Sequence, residues 1–454
     1  MQTGYKKLSF ALAILLAGAL VALLLVLTAG GDEPGEAAPV DVYSPFGLFS
    51  PGMLSAMPTS AGLKIVETLG VDSVSGYQNY SLALTKELGV SWVRMDFTYD
   101  GWNFIESPDY LEKIHSNGID VVGCVLPMNS FAPADLASFK ASFRDLIHRY
   151  PWIRVWQIGN EPDLSWDNPL DYPRFFFAGQ QVVRSECPDC KVALAGAGAR
   201  WPGQDEQGWR NSLGLYDRII GDIAIMSPGI PKPFDIIDMH FYDFYGTEDG
   251  MLETLSEYRN LPLKHGLGHD IEFWVTECAT PTGPITWPVG SPVQTEEQQA
   301  SELVTRFVTM LGAEVKRVSW SRFYNNYRYH DFEGGFFDNT GLIYNGLGYE
   351  AATGIGAGSK KQAFFAYRTL ATKIGGCSRV FRLGPGAYKF FFDGDRVPVY
   401  VLWEAGSSAL PAGLSGPVVV TDLAGNVTYS TGENLLLSSA PVFVESRPAG
   451  VESS

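Results

Sequence analysis

Between residues 46 and 320, short apolar runs recur along the chain: "FGLFS" (46–50), "WVRMD" (92–96), "VVGCVL" (121–126), "VWQIG" (155–159), "VALAG" (192–196), "IIDMH" (236–240), "FWVTE" (273–277) and "RVSW" (317–320). Runs this continuously apolar suit strands covered on both faces, as in a parallel sheet layered with helices. Between them, apolar positions fall three and four apart. In "APADLASFKASFRDLIHRYP", Leu136, Phe139, Phe143, Leu146, Ile147 and Tyr150 form one helical stripe. In "SPDYLEKIHSNG", Ser107 suits the N-cap, Pro108 the first helical position and Asn117-Gly118 the stop. Eight such units predict an α/β fold, a (β/α)8 TIM barrel over residues 45–376. The competing fold, an open doubly wound sheet, calls for a GxGxxG phosphate turn after a strand, and none occurs.

Beyond Gly375-Gly376 the pattern changes to alternating runs, "YKFFFDGDRVPVYVLW", "GPVVVTDLAGNVTYS" and "APVFVES", separated by turn pairs such as Asp393-Gly394 and Gly425-Asn426. Residues 377–454 are expected to form a small C-terminal β-sandwich domain without a catalytic constellation of its own. At the other end, Lys6 and Lys7 precede an almost unbroken apolar run from Leu8 to Leu27. About 20 residues span a bilayer, whereas a signal-peptide core takes about 7–15. Leu27, Thr28 and Ala29 also make a poor cleavage site. Residues 1–30 therefore read as a membrane anchor in preference to a removed signal, and residues 31–44 as a flexible linker. Either way the lysines stay in the cytoplasm and the remainder is exported, anchored or secreted.

Composition narrows the partners. With 33 Lys+Arg against 50 Asp+Glu, a net charge of −17 repels nucleic acid and anionic membrane surfaces, leaving the N-terminal segment as the membrane contact. Five cysteines (Cys124, Cys187, Cys190, Cys278, Cys377) are too few and scattered for a zinc site or a disulfide framework. The Cys187–Cys190 pair follows a helical stretch and precedes a strand, which favours a local disulfide over a redox dithiol.

In a barrel of this kind chemistry sits at the C-terminal ends of the strands. The polar residues there are Arg94 and Asp96 on strand 2, Asn160 and Glu161 on strand 4, His240 and Tyr242 on strand 6, Glu277 on strand 7 and Trp320 on strand 8. Glu161 and Glu277 would face each other across the barrel mouth. Two carboxyl groups about 5–5.5 Å apart suit retaining glycoside hydrolysis, in which one attacks the anomeric carbon and the other protonates the leaving oxygen and later activates water.

"GNEP", "HFY", "WVTE" and "SW" at the ends of strands 4, 6, 7 and 8 resemble the pattern of clan A glycoside hydrolases. "GVSWVRMDFTYDGWNFIE", "TEEQQASELVTRFV" and "QAFFAYRTLATKIGG" add a likeness to the family 39 β-xylosidases and family 5 glycanases. The resemblance implies Glu161 as acid/base and Glu277 as nucleophile of an enzyme that cleaves β-linked glycosides or polysaccharides without a cofactor or metal. Asn160 would bind the sugar 2-hydroxyl and Arg94 would keep Glu277 ionised. His240 and Tyr242 would orient Glu277 or bind hydroxyls, and Trp320 would floor the sugar site. Trp166, Trp201, Trp209 and Trp287 are expected in loops on the same face, where aromatic rings either line subsites or pack the loops. Asp331, Glu333 and Asp338 read as solvated loop charges, and "IYNGLGYEAATGIGAGSKK" is a glycine-rich stretch that the resemblance does not place. A non-catalytic glycan-binding or wall-associated barrel is the alternative that the sequence leaves open.

Overall fold

The computed structural model describes residues 46–49, 74–105, 107–127, 135–165, 168–199, 205–242, 247–283, 285–287, 293–326, 334–404, 414 and 416–446. The anchor and linker segments (residues 1–44) lie outside the described residues, and among the described residues no helix is long and apolar enough to cross a membrane.

The eight expected strands are β1 (Phe46–Phe49), β2 (Trp92–Tyr99), β3 (Asp120–Pro127), β4 (Val155–Ile158), β5 (Lys191–Leu194), β6 (Ile236–Phe241), β7 (Glu272–Cys278) and β8 (Val318–Trp320). Each pairs in parallel with the next, and β1 pairs with both β2 and β8, so the pairings return to their start in a TIM-barrel-like ring. After each strand comes a helix: α1 (Val74–Leu88), α2 (Pro108–Ser116), α3 (Leu136–Arg149), α4 (Tyr172–Glu186), α5 (Glu206–Met226), α6 (Glu248–Lys264), α7 (Glu296–Gly312) and α8 (Gln362–Ile374).

Local chemistry accounts for the helix ends. Asp135 caps α3 by accepting from the backbone N–H groups of Ala137 and Ser138, and Phe139, Phe143, Leu146 and Ile147 of its stripe are buried. Ser107 occupies the N-cap of α2, but its side chain makes no capping bond there; Pro108 follows in the first turn. Inside the ring, Trp92, Val122, Val155, Ala193, Ile236 and Trp274, one from each of six strands, form a dry layer. The Arg317 guanidinium lies over the Trp92 and Trp274 rings, 5.5 and 4.9 Å from their centroids.

Among the described residues the C-terminal region is one sheet and not a sandwich. Strands β9 (Arg379–Gly384), β10 (Ala387–Phe391), β11 (Val399–Leu402), β12 (Pro417–Thr421), β13 (Val427–Thr431) and β14 (Val442–Ser446) form one antiparallel sheet in the order β9-β10-β11-β14-β12-β13. The alternation implied two faces in need of cover, and among the described residues no second sheet covers them. Tyr388, Phe390, Val399, Val401 and Phe443 join the main core of the barrel, while Tyr400, Leu402, Val420 and Val444 pack with Leu414, Leu435 and Leu437.

Cys187 and Cys190 are disulfide-bonded, joining the end of α4 to the approach to β5. Cys124, Cys278 and Cys377 are free and buried.

Candidate active site

Alternation along the strands builds the site. On β2, β4 and β6 the inner-layer residues Trp92, Val155 and Ile236 are followed two positions later by Arg94, Gln157 and Asp238, all fully buried, so a polar layer sits directly above the dry one. On β7 the alternation is broken. Met239 pairs with Val275 but His240 pairs with Glu277, and this register shift lets Thr276 bond to Asp238 below while Glu277 reaches the layer above.

The end of β4 turns sharply. Gly159 has φ 89°, and Glu161 itself has φ 40°, a left-handed conformation that L-residues other than Asn and Asp seldom adopt and that costs about 1–3 kcal/mol. The Glu161 N–H donates to the Gly196 carbonyl at 3.0 Å, which ties this turn to the end of β5. Gly196 has its own constraint. A Cβ there would lie 2.2 Å from His240 Nε2, so only glycine admits the imidazole.

Arg94 organises the cluster. It donates from Nε to Gln157 Oε1 at 2.6 Å, from one terminal nitrogen to Glu277 Oε1 at 2.9 Å, and from the other to Asn160 Oδ1 at 2.7 Å and Cys124 Sγ at 3.0 Å. Its partnership with Asp96, at 3.6 Å, is looser. Tyr242 donates to the other oxygen of Glu277, and its ring is clamped edge-on by Phe336 and Phe337. His240 donates from Nδ1 to Glu161 Oε1 at 2.7 Å, while its Nε2 lies 3.5 Å from Glu277 Oε1.

Burial depresses the basicity of His240, but the Glu277 charge and its hydrogen bonds to Asp238 and Glu161 outweigh this and lift the imidazolium to about 10. The Glu161 carboxyl is raised above the usual range: burial, with the Glu277 charge behind it, prevails over the hydrogen bond from His240 and its charge. Asp163, whose Oδ1 accepts from the Gly198 N–H at 3.0 Å, is pushed by burial up to about 7.

Glu161, His240 and Glu277 each offer an atom within 4.8 Å of the others, a spacing that would also fit a cation. The Arg94 guanidinium beside Glu277 and the proton held on His240 oppose that use.

No protein family's sequence model matches the chain, and no curated protein matches it. Solved structures do. A family 39 glycoside hydrolase from the gut symbiont Bacteroides cellulosilyticus WH2 superposes with a TM-score of 0.58 at 15% identity, over 89% of this chain and 81% of that one. A family 51 α-L-arabinofuranosidase from Bifidobacterium longum gives 0.57 at 13% identity, over 89% and 95%. A glucosidase from Croceicoccus marinus gives 0.54 at 14% identity, over 80% and 91%. In fold, the chain resembles these three glycosidases. At these identities the likeness speaks for the fold, so chemistry has to be argued from the site itself.

Within this barrel, six of the seven strand-end residues given a role from the sequence, Arg94, Asn160, Glu161, His240, Tyr242 and Glu277, meet in one hydrogen-bonded cluster. Trp320 does not join them. Alternation on β8 turns it to the helix layer, where it is fully buried against Phe307 of α7 and its indole N–H donates to the Thr340 carbonyl. Trp209 is likewise no loop residue: it lies in α5, buried against Tyr258. Trp166, Trp201, Asp331 and Glu333 lie outside the described residues, as does the Trp287 side chain. Asp338 is not merely solvated, since it accepts from the Gly335 N–H at 2.7 Å.

Sequence reasoning missed Gln157, Asp238 and Thr276, which look like ordinary strand residues. Their signal was available: a polar residue two positions after an inner-layer apolar one, on several strands at once.

Proposed function

We propose that the chain is a retaining glycoside hydrolase of β-linked glycosides or glycans, with Glu161 as acid/base and Glu277 as nucleophile. The observation that carries this reading is the pair of buried carboxylates with oxygens within 4.8 Å of one another. That separation favours the retaining arrangement, with carboxyl groups about 5–5.5 Å apart, over the inverting one at about 6.5–9.5 Å.

The two acids have opposite surroundings, as the two roles require. Glu277 is held on one oxygen by a guanidinium and on the other by a phenol hydroxyl, which fix its orientation for attack on the anomeric carbon. Glu161 has a raised pKa, which favours the protonated form needed to protect the departing oxygen from leaving as an alkoxide. Once Glu277 is glycosylated its charge is gone, Glu161 becomes the stronger acid, and its carboxylate takes a proton from the water that releases the sugar. Arg94 fixes the Asn160 carbonyl oxygen, so the amide N–H side is turned to a sugar hydroxyl. A Cys187–Cys190 disulfide supports an extracytoplasmic location, with residues 1–30 as the anchor.

Wild type and Glu277→Gln should be compared on a panel of aryl β-glycosides and plant and microbial polysaccharides, with the anomer of the first product read by NMR. Activity should fall by about 10³-fold or more in the variant, a loss typical of removing a group that acts as one unit with its partners. The product should keep the β-configuration. An α-product would overturn the retaining step. Absence of turnover, with glycan binding intact in both proteins, would make this a binding barrel.

A further inference from the structure

The loop after β2 lies on the same end of the barrel as the two acids. Tyr99 and Phe104 pair in a short antiparallel ladder, and the intervening turn is held from several directions. Asp100 Oδ1 accepts from the backbone N–H groups of both Trp102 and Asn103 at 2.8 Å. The Asp100 N–H donates to the Asn103 carbonyl at 3.0 Å. Tyr99 donates its hydroxyl to the Gly101 carbonyl at 2.9 Å, and Ser142 of α3 donates to the Trp102 carbonyl at 2.8 Å. Gly101, at φ 106°, supplies a conformation closed to other residues. Tyr99 is itself buried between Phe104 and Phe139.

All this ordering leaves the largest apolar side chain of the loop in water. Trp102 is 82% exposed. A turn so firmly tied could have laid its indole on α3; instead the backbone is fixed and the ring is presented. Among the described residues Trp102 is the one exposed large apolar side chain of this loop, with the exposed Asp100 and Asn103 on either side of it in the turn. A protein interface needs on the order of 1,000 Å² of buried surface. An anionic bilayer would meet the Asp100 carboxylate in a chain of net charge −17. A pyranose ring matches the exposed indole in size and in character, with C–H groups for its face and hydroxyls for the carboxylate and amide on either side of it in the turn.

We propose that Trp102 is a stacking platform for a sugar unit remote from the bond to be cleaved, so that the substrate is an extended glycan chain. From Arg94 to Tyr99 the strand alone advances about 17 Å at about 3.3 Å per residue, further than one sugar reaches. The substrate class rests on the glycosidase reading; the platform itself is tested without turnover.

Affinity electrophoresis in gels containing each polysaccharide of the panel would compare Glu277→Gln with the same protein carrying Trp102→Ala or Trp102→Phe. Trp102→Ala should weaken retardation by about tenfold in apparent Kd, equivalent to about 1.4 kcal/mol, and Trp102→Phe should restore most of it. In the otherwise wild-type enzyme, Trp102→Ala should raise KM for the polysaccharide by a similar factor and leave kcat/KM on short aryl glycosides within about twofold. Retardation indifferent to Trp102→Ala would overturn the platform while leaving the chemistry in place, as would hydrolysis of short glycosides without retardation by any polysaccharide. Retardation lost in Trp102→Ala but without hydrolysis in the wild type would keep the platform and overturn the enzyme. Neither binding nor hydrolysis would overturn both.

Discussion

Glu161 is a costly residue: buried, in a left-handed conformation, and acidic beside a second acid. None of these features helps the fold, and together they suit the proton donor of the proposed hydrolysis. Because its pKa is raised, the protonated form survives to higher pH than in a free glutamate, and turnover should be lost as pH rises through the folded-state value. In Glu161→Gln the basic limb of the kcat/KM profile should disappear and residual activity should be confined to substrates with good leaving groups; an unchanged basic limb would assign it elsewhere. The acids, Asn160, Arg94, His240 and Tyr242 were legible in the sequence because each is a polar side chain closing an apolar run, an expense visible without coordinates. The conformation of Glu161 was not, since Asn-Glu-Pro reads equally as an ordinary turn. Trp320 misled because a register parity of one residue decides whether a side chain faces the axis or the helices, and the run "RVSW" is too short to set it.

The glycine-rich stretch before α8, which the sequence left unplaced, belongs to a buried polar knot. Lys361, fully buried at the N-cap of α8, donates from Nζ to Thr282 Oγ1 and Asn325 Oδ1 at 2.8 Å and to the Asn339 carbonyl at 2.9 Å. Asn325 in turn donates to Glu350 Oε1 at 2.7 Å, and the Gly346 N–H donates to Glu350 Oε2 at 2.6 Å. Thr282 follows β7 and Asn339 closes the turn that carries Phe336 and Phe337, the clamp on Tyr242. The Lys361 side chain thus ties together the segments after β7 and β8. Lys361→Met should cost about 1–3 kcal/mol or more, because it takes a buried donor away from Thr282 Oγ1, Asn325 Oδ1 and the Asn339 carbonyl, and thermal unfolding would read this as a lowered Tm. A Tm within a degree or two of wild type would mean that the knot is not energetically coupled. No sequence pattern announces such a knot, whose members lie up to 79 residues apart.

Across the whole molecule, the change of periodicity at residue 376 marks a real change of architecture, from a parallel ring to an antiparallel sheet. The sandwich expected there failed because alternation says that a face must be covered and not by what. The barrel itself does much of the covering. Tyr388 enters the niche left by Gly312 at the end of α7, where a Cβ would come within 2.3 Å of its ring, and its hydroxyl donates to Glu248 at the start of α6. Glu248 also accepts from Arg382 and from the Gly386 N–H, while Lys373 of α8 pairs with Glu445 of β14. A chain ending at residue 376 should therefore expose apolar surface and aggregate or unfold well below the full-length Tm, and calorimetry of the full chain should show one transition for ring and sheet together. Two separated transitions would show them to be independent. The shared core has a practical corollary for anyone who would engineer this protein. The C-terminal sheet cannot be treated as a cartridge to be exchanged among barrels, because the glycine at the end of α7 and the glutamate opening α6 are shaped for this sheet alone, and a graft would have to carry the matching helix ends with it.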